Sequence, residues 1–161
     1  MITVTLGTIP YPFNRAIQWL RVLLEEKIIS ESLFIQYGVS DISSVSEHPL
    51  VTAKPLIESK ELMKIVDDSR LVISHAGQGS TSTLASRGAC FTILPRLAKY
   101  REHIDDHQLS FAQGVEQFGV VHCLTLDELK QVILEPPPGF RKVLFEEPKL
   151  ADHLLSIYPG R

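Results

Sequence analysis

The chain has 161 residues, 44% of them hydrophobic and 22% charged, with a formal net charge of -3 at pH 7. This length and apolar content suit one globular domain with a real core. The weak negative charge excludes the basic footprint of a nucleic-acid binder. No apolar run could span a bilayer, and Met1 leads straight into a strand-like segment without a basic leader, so no signal peptide is expected.

Ile2-Thr3-Val4-Thr5-Leu6 predicts a first strand, and residues 7–12 a loop, because two closely spaced prolines cannot join a ladder. A helix follows over about 13–26, with Phe13, Ile17, Leu20 and Leu24 on one face. Residues 33–37 read as the second strand, 41–49 as a serine-rich loop, 51–53 as a short edge strand and 59–68 as a helix with Leu62, Met63 and Val66 facing inward. Leu71-Val72-Ile73 reads as a buried parallel strand. It runs into His75-Ala76-Gly77-Gln78-Gly79-Ser80, a turn of small residues, and then a helix from about Ser80 to Gly88.

Residues 89–94 predict another strand, stopped by Pro95, and 96–102 a charged loop. A helix over about 104–118 is closed by Gly119, and 120–123 is the last strand. Thr125 and Glu128 have the spacing of a capping box that opens a helix to about 134. The Pro136-Pro137-Pro138-Gly139 run then divides the chain into a domain of residues 1–135 and a hinge with a tail, 136–161, carrying a short helix near 149–157. Cys90 and Cys123 sit in apolar runs and read as buried free thiols, which fits a cytoplasmic location.

Strands alternating with helices predict an α/β fold, a doubly wound, Rossmann-like parallel sheet. Ligands bind outside the carboxyl ends of the strands in such sheets. Loops 7–12, 75–80 and 95–108 should therefore meet there. The strand, small-residue turn and helix over 71–88 would aim unpaired backbone N–H groups at an anion. The plainer alternative is a tight connection with no ligand. The stretch lacks the Gly-Lys-Ser/Thr of a Walker loop and the Gly-x-Gly-x-x-Gly dinucleotide fingerprint.

Taken in order, Val4-Thr5-Leu6-Gly7-Thr8, Pro12-Phe13-Asn14-Arg15, Leu71 through Ser80, Leu94-Pro95-Arg96 and Glu102-His103-Ile104-Asp105-Asp106-His107-Gln108 carry a resemblance. The chain resembles the donor-binding C-terminal domain of GT-B glycosyltransferases of family 28, over about residues 2–133. It is most similar to the small soluble subunits of split enzymes: PssE-type exopolysaccharide subunits and the soluble subunit of the eukaryotic two-part N-acetylglucosaminyltransferase. It departs from the family pattern at Asn14, where aspartate is frequent, and at residues 87–90, where glycine-lysine-proline is frequent.

The resemblance implies the donor-binding subunit of a two-part inverting glycosyltransferase. Such an enzyme would transfer a hexosyl group from a UDP-sugar to a lipid-linked acceptor in polysaccharide or glycolipid synthesis. It implies a membrane-associated partner subunit that binds the acceptor, recruits this chain to the cytoplasmic face and supplies the catalytic base. It implies no metal and no cofactor beyond the donor. The chain alone could also self-associate through the surface meant for that partner. The alternative is a non-catalytic module that binds a nucleotide sugar and regulates or recruits another protein.

Gly77, Gln78, Gly79 and Ser80 are expected to give backbone N–H groups, and Ser80 a hydroxyl, to the diphosphate. Thr8 would contact the same phosphates or else cap the next helix. His75 would donate to sugar or phosphate or else brace the loop from beneath. By resemblance, His107 and Gln108 would lie over the sugar hydroxyls; the alternative is a solvated helix start. Arg96, Lys99 and Arg101 are expected near the mouth. His103 and His107 have a metal-compatible spacing. No further Cys or His stands close by in sequence, so no metal site is expected. In the tail, Leu150, Leu154, Leu155 and Ile157 form an apolar stripe that would fold back on the sheet or dock into the partner.

Overall fold

The computed structural model describes residues 1–142 and 144. Strands β1 (Ile2–Thr5), β2 (Leu33–Gln36), β3 (Val51–Lys54), β4 (Leu71–His75), β5 (Phe91–Leu94) and β6 (Val121–His122) form one sheet. They run parallel in the order β3-β2-β1-β4-β5-β6. The helices are α1 (Asn14–Glu25), α2 (Ser59–Asp67), α3 (Gln78–Ser86), α4 (His107–Glu116) and α5 (Leu126–Leu134). This is the doubly wound, Rossmann-like α/β sheet expected from the alternation of elements.

Every residue of β1, β2 and β5 is buried, as strands covered on both faces require. On one face, Ile17, Leu20 and Leu24 of α1 and Leu129 and Ile133 of α5 pack against Ile2, Val4, Ile35 and Ile73. On the other, Val66 of α2, Leu84 of α3 and Ala112 and Val115 of α4 pack against Val72, Phe91 and Ile93. The capping box forms as read: Thr125 accepts from the Glu128 N–H, and the Glu128 side chain accepts from the Thr125 N–H.

Two helix starts differ from the sequence reading. Helix α4 begins at His107, three residues late, because two carboxylates hold the preceding residues in turns. Asp106 Oδ1 accepts from the Ala98 N–H at 2.8 Å, and Asp105 Oδ1 from the His107 N–H at 3.1 Å. Ile104 is left 71% exposed rather than buried on a helix face. Helix α3 begins two residues early, at Gln78, because Gly77 is extended and serves as its N-cap.

Described residues within and just past the proline run touch the sheet domain. Cys90 Sγ donates to the Pro137 carbonyl at 3.0 Å, and the Phe140 N–H to the Ala89 carbonyl at 3.0 Å. The Phe140 ring lies 5.8 Å from that of Phe91, and Leu144 is buried in the same cluster. Both cysteines are free, Cys123 buried and Cys90 half-buried. The expected tail helix lies outside the described residues.

Arg96 is the main departure from the sequence reading. Expected at the mouth, it is 1% exposed and sits inside the carboxyl edge of the sheet. Its guanidinium donates to the carbonyls of Leu6 at 2.6 Å, Tyr11 at 2.7 Å and Glu102 at 3.1 Å, and lies 4.7 Å from the centroid of the Phe13 ring. The buried Glu102 carboxylate takes two bonds from Arg15 at 2.9 Å and one from the Leu97 N–H at 2.9 Å. Burial lowers Arg96 to a pKa of about 10, and the nearby Glu102 charge opposes that drop. The group therefore stays cationic at neutral pH.

We predict that Arg96→Met, which keeps the volume and removes the donors, leaves three carbonyls short of a partner and costs about 3–5 kcal/mol of stability. Urea denaturation measures this. A loss under about 1 kcal/mol, the range of an exposed ion pair, would contradict the account.

Candidate functional site

The strand order reverses between β1 and β4. A crevice of about 370 Å³ opens beside that reversal, on the α2 and α3 side of the sheet. Thr5, Gly7 and Thr8 line it from β1 and its loop, His75 from the end of β4, and Gly79, Ser80 and Thr83 from α3. Ile57, Ser59, Leu62 and Met63 form the wall on the α2 side. A volume of that order suits a small-molecule ligand.

The start of α3 carries the polarity of the crevice. Thr81 N–H bonds back to the Gly77 carbonyl at 2.9 Å, which closes the first helical turn. Among the described residues, the N–H groups of Gln78, Gly79 and Ser80 have no partner, and no side chain caps the helix. Unsatisfied N–H groups and the helix dipole together favour an anion there. A Cβ built on Gly79 would meet nothing within 4 Å, so the approach to these groups is open. Gly77 plays a different part from the one expected. Its N–H is already donated to the His75 carbonyl at 2.8 Å, so it offers space rather than a donor.

That space is taken by the His75 ring. A Cβ on Gly77 would lie 2.4 Å from His75 Nε2, and one on Gly7 would lie 2.9 Å from His75 Cε1. The ring is thus held between two glycines, one from each loop. Gly7 also has φ +80, a conformation that side chains resist. His75 Nδ1 lies 3.3 Å from the Thr5 carbonyl, which can only accept. This partner assigns the proton to Nδ1 and leaves Nε2 as a bare acceptor. Burial lowers the His75 pKa to about 4, the Thr5 carbonyl works against that, and the Arg96 charge adds to it. His75 is therefore neutral at physiological pH. It braces the ends of β1 and β4, and its free nitrogen suits a hydroxyl donor better than a phosphate oxygen.

The remaining expected residues fall in two places. Thr8 is exposed on the loop after β1 and lines the crevice beside Ser80. His107 and Gln108 do not line it. His107 is exposed, with Nδ1 2.5 Å from Asp105 Oδ1. Gln108 is buried, and its Oε1 accepts from the Arg96 N–H at 3.1 Å. Among the described residues its amide nitrogen makes no bond.

Sequence reasoning missed Gln36. Its Oε1 accepts from the Gly7 N–H at 3.1 Å, and its Nε2 donates to the Gly7 and Pro55 carbonyls at 3.1 and 2.9 Å. It thereby fixes the loop that faces His75. A polar residue closing the apolar Leu33-Phe34-Ile35 run was the available signal. Leu62 and Met63, read as core, are half-buried in the crevice wall.

The folded chain keeps His75 neutral, whereas the unfolded chain protonates it near the ordinary histidine value. The unfolded state then binds more protons, so stability should fall as pH drops from about 6.5 toward 4, by up to about 3 kcal/mol from this residue. We predict that His75→Asn, whose amide can replace the bond to the Thr5 carbonyl, weakens that pH dependence. Urea denaturation at pH 7 and pH 4 measures it; identical pH dependence in both proteins would contradict the assignment.

Solved structures share this architecture. MurG of Acinetobacter baumannii is 19% identical, with a TM-score of 0.60 over 82% of this chain and 40% of its own. The glycosyltransferase of kitacinnamycin is 15% identical, with a TM-score of 0.58 over 83% of this chain and 34% of its own. SnogD from Streptomyces nogalater is 19% identical, with a TM-score of 0.55 over 97% of this chain and 43% of its own. The chain thus spans less than half the length of each. These neighbours are GT-B glycosyltransferases, and at such identities they speak for the fold alone. Comparison with curated proteins finds no match. The sequence does match the profile of the glycosyltransferase family 28 C-terminal domain over residues 1–140, and the chain belongs to that family, whose domain is of the nucleotide-sugar donor-binding type.

Proposed function

We propose that this chain is the donor-binding subunit of a two-part inverting glycosyltransferase, which moves a hexosyl group from a UDP-sugar to a lipid-linked acceptor. The observation that carries the reading is the uncapped start of α3: among the described residues the N–H groups of Gln78, Gly79 and Ser80 have no partner, and Gly79 and Ser80 line the crevice beside the strand reversal. A diphosphate seated there would receive these donors, with the Ser80 hydroxyl and Thr8 at its flanks. The apolar wall of Ile57, Leu62 and Met63 offers a surface for the uracil base.

As the bond from the sugar to the diphosphate breaks, charge grows on the departing phosphate. Donors already fixed by the helix stabilise it without reorganising. This role needs no metal at the diphosphate. The acceptor oxygen attacks the opposite face of the sugar and must lose its proton to a base. Among the described residues no Asp or Glu lines the crevice, and His75, at a pKa of about 4, is too weak a base at neutral pH. The reading therefore assigns base and acceptor to a partner subunit at the membrane. Among the described residues, no helix is long and apolar enough to cross a membrane. His107 and Gln108 remain its candidates for the sugar hydroxyls, with the Gln108 amide nitrogen as the available donor.

Isothermal titration of the chain with UDP, without metal, tests the reading. UDP should bind with Kd at or below the millimolar range. Gly79→Asp, whose carboxylate would enter the anion position without a clash, should weaken binding by roughly tenfold or more, equivalent to about 1.4 kcal/mol. Equal affinity in both proteins would remove the start of α3 from the site. Transfer by the chain with its partner, lost in the same variant, separates a catalytic subunit from a binding module.

A further inference from the structure

We propose that His103, Asp105 and His107 form a binding site for a divalent transition-metal ion of the zinc class. The inference does not rest on the donor reading, although that reading also counts His107 among its candidates; none of the three residues lines the crevice. Among the described residues they are the one group of His, Cys, Asp or Glu side chains gathered closely enough to hold an ion, with ligand atoms all within 4.8 Å of one another. Sequence alone offered two histidines four residues apart. The turn that delays α4 brings a carboxylate between them.

The donor set is specific in kind. The Nδ1 atoms of His103 and His107 lie 3.3 and 2.5 Å from Asp105 Oδ1. The two imidazole rings meet edge to face, with centroids 4.4 Å apart. Two imidazole nitrogens and one carboxylate oxygen suit zinc and its neighbours, whereas magnesium and calcium favour oxygen ligands throughout. Three protein ligands leave a fourth position for water or another small ligand.

The scaffold under the ligands is anchored at several points. Before them, the Glu102 carboxylate is locked by Arg15 and the Leu97 N–H, and its carbonyl receives Arg96. The His103 ring is 14% exposed and stacks on Tyr11 at 5.9 Å. Between the last two, Asp106 holds the Ala98 N–H, and the last, His107, starts α4. The ion would replace the present bonds of these atoms: the Asp105 N–H on His103 Nδ1 at 3.5 Å, and the His107 N–H and Nδ1 on Asp105 Oδ1. Ligands on a tetrahedral zinc stand roughly 3.3 Å apart, which is the present separation of His103 Nδ1 from Asp105 Oδ1. His107, 61% exposed, has room to swing outward to match.

Titration of the metal-free full chain with zinc chloride, together with visible absorption after cobalt(II) addition, tests this proposal. One equivalent of zinc should bind with micromolar Kd or tighter, magnesium should not compete, and cobalt should give a visible band. His103→Ala, Asp105→Asn and His107→Ala should each weaken zinc binding by at least the roughly 10–100-fold lost with an outer-shell partner. Each variant's urea denaturation in the absence of metal shows that it folds. His107→Ala and Asp105→Asn change exposed side chains and keep the test available if His103→Ala, which removes the Tyr11 stack, does not fold. Wild-type binding weaker than millimolar would overturn the proposal. So would variants that keep wild-type affinity, since the ion would then sit elsewhere.

Discussion

Strand β1 lies beside β4, not between two sequence neighbours, and this constraint creates the site. The chain leaves β1 toward α1 on one face of the sheet and leaves β4 toward α3 on the other. Two loops that part in this way cannot cover the edge between them. The crevice is what remains, and the uncapped helix that starts there brings Gly79 and Ser80 to its lining. His75 closes its floor, with its ring wedged between Gly7 and Gly77 and its proton committed to the Thr5 carbonyl. Small residues on both loops are needed because an imidazole fills the space that their side chains would occupy.

A second constraint keeps the loops at that edge in place. Three chain segments end there with carbonyls aimed inward, and no strand can pair with them. Arg96 satisfies one from each of Leu6, Tyr11 and Glu102. A buried charge is costly unless it is paired and hydrogen-bonded, and this one has carbonyls, an aromatic face and a nearby carboxylate. Gln36 does similar work on the other side of β1, tying Gly7 to Pro55. The open start of α3 thus lies between two side chains whose hydrogen bonds hold the neighbouring loops.

What the sequence made legible was local. The Leu71-Val72-Ile73 run and the capping box at Thr125 depend on neighbours within a few residues, and each formed as its pattern suggested, while the turn after the strand is shorter than its pattern suggested. What it concealed was non-local. Nothing near Arg96 in sequence shows that carbonyls from Leu6 and Tyr11, more than eighty residues away, will bury it. The same holds for Gln108, which bonds the Arg96 backbone N–H and does not line the crevice; the Gly77 N–H is a local exception, taken by the His75 carbonyl within its own turn. Helical periodicity over 104–118 extended the helix too far, because the Asp105 carboxylate takes the His107 N–H and Asp106 is tied to the Ala98 N–H. That arrangement is also what gathers His103, Asp105 and His107.

The central claim is that an anionic donor sits on the free N–H groups of Gln78, Gly79 and Ser80. Backbone amide resonances followed by NMR while UDP is added test it most directly. The account predicts that these three amides shift most, moving downfield as they gain an acceptor, with smaller changes at Thr8 and along Ile57, Leu62 and Met63. Shifts centred on another face of the sheet, with the start of α3 unmoved, would contradict it.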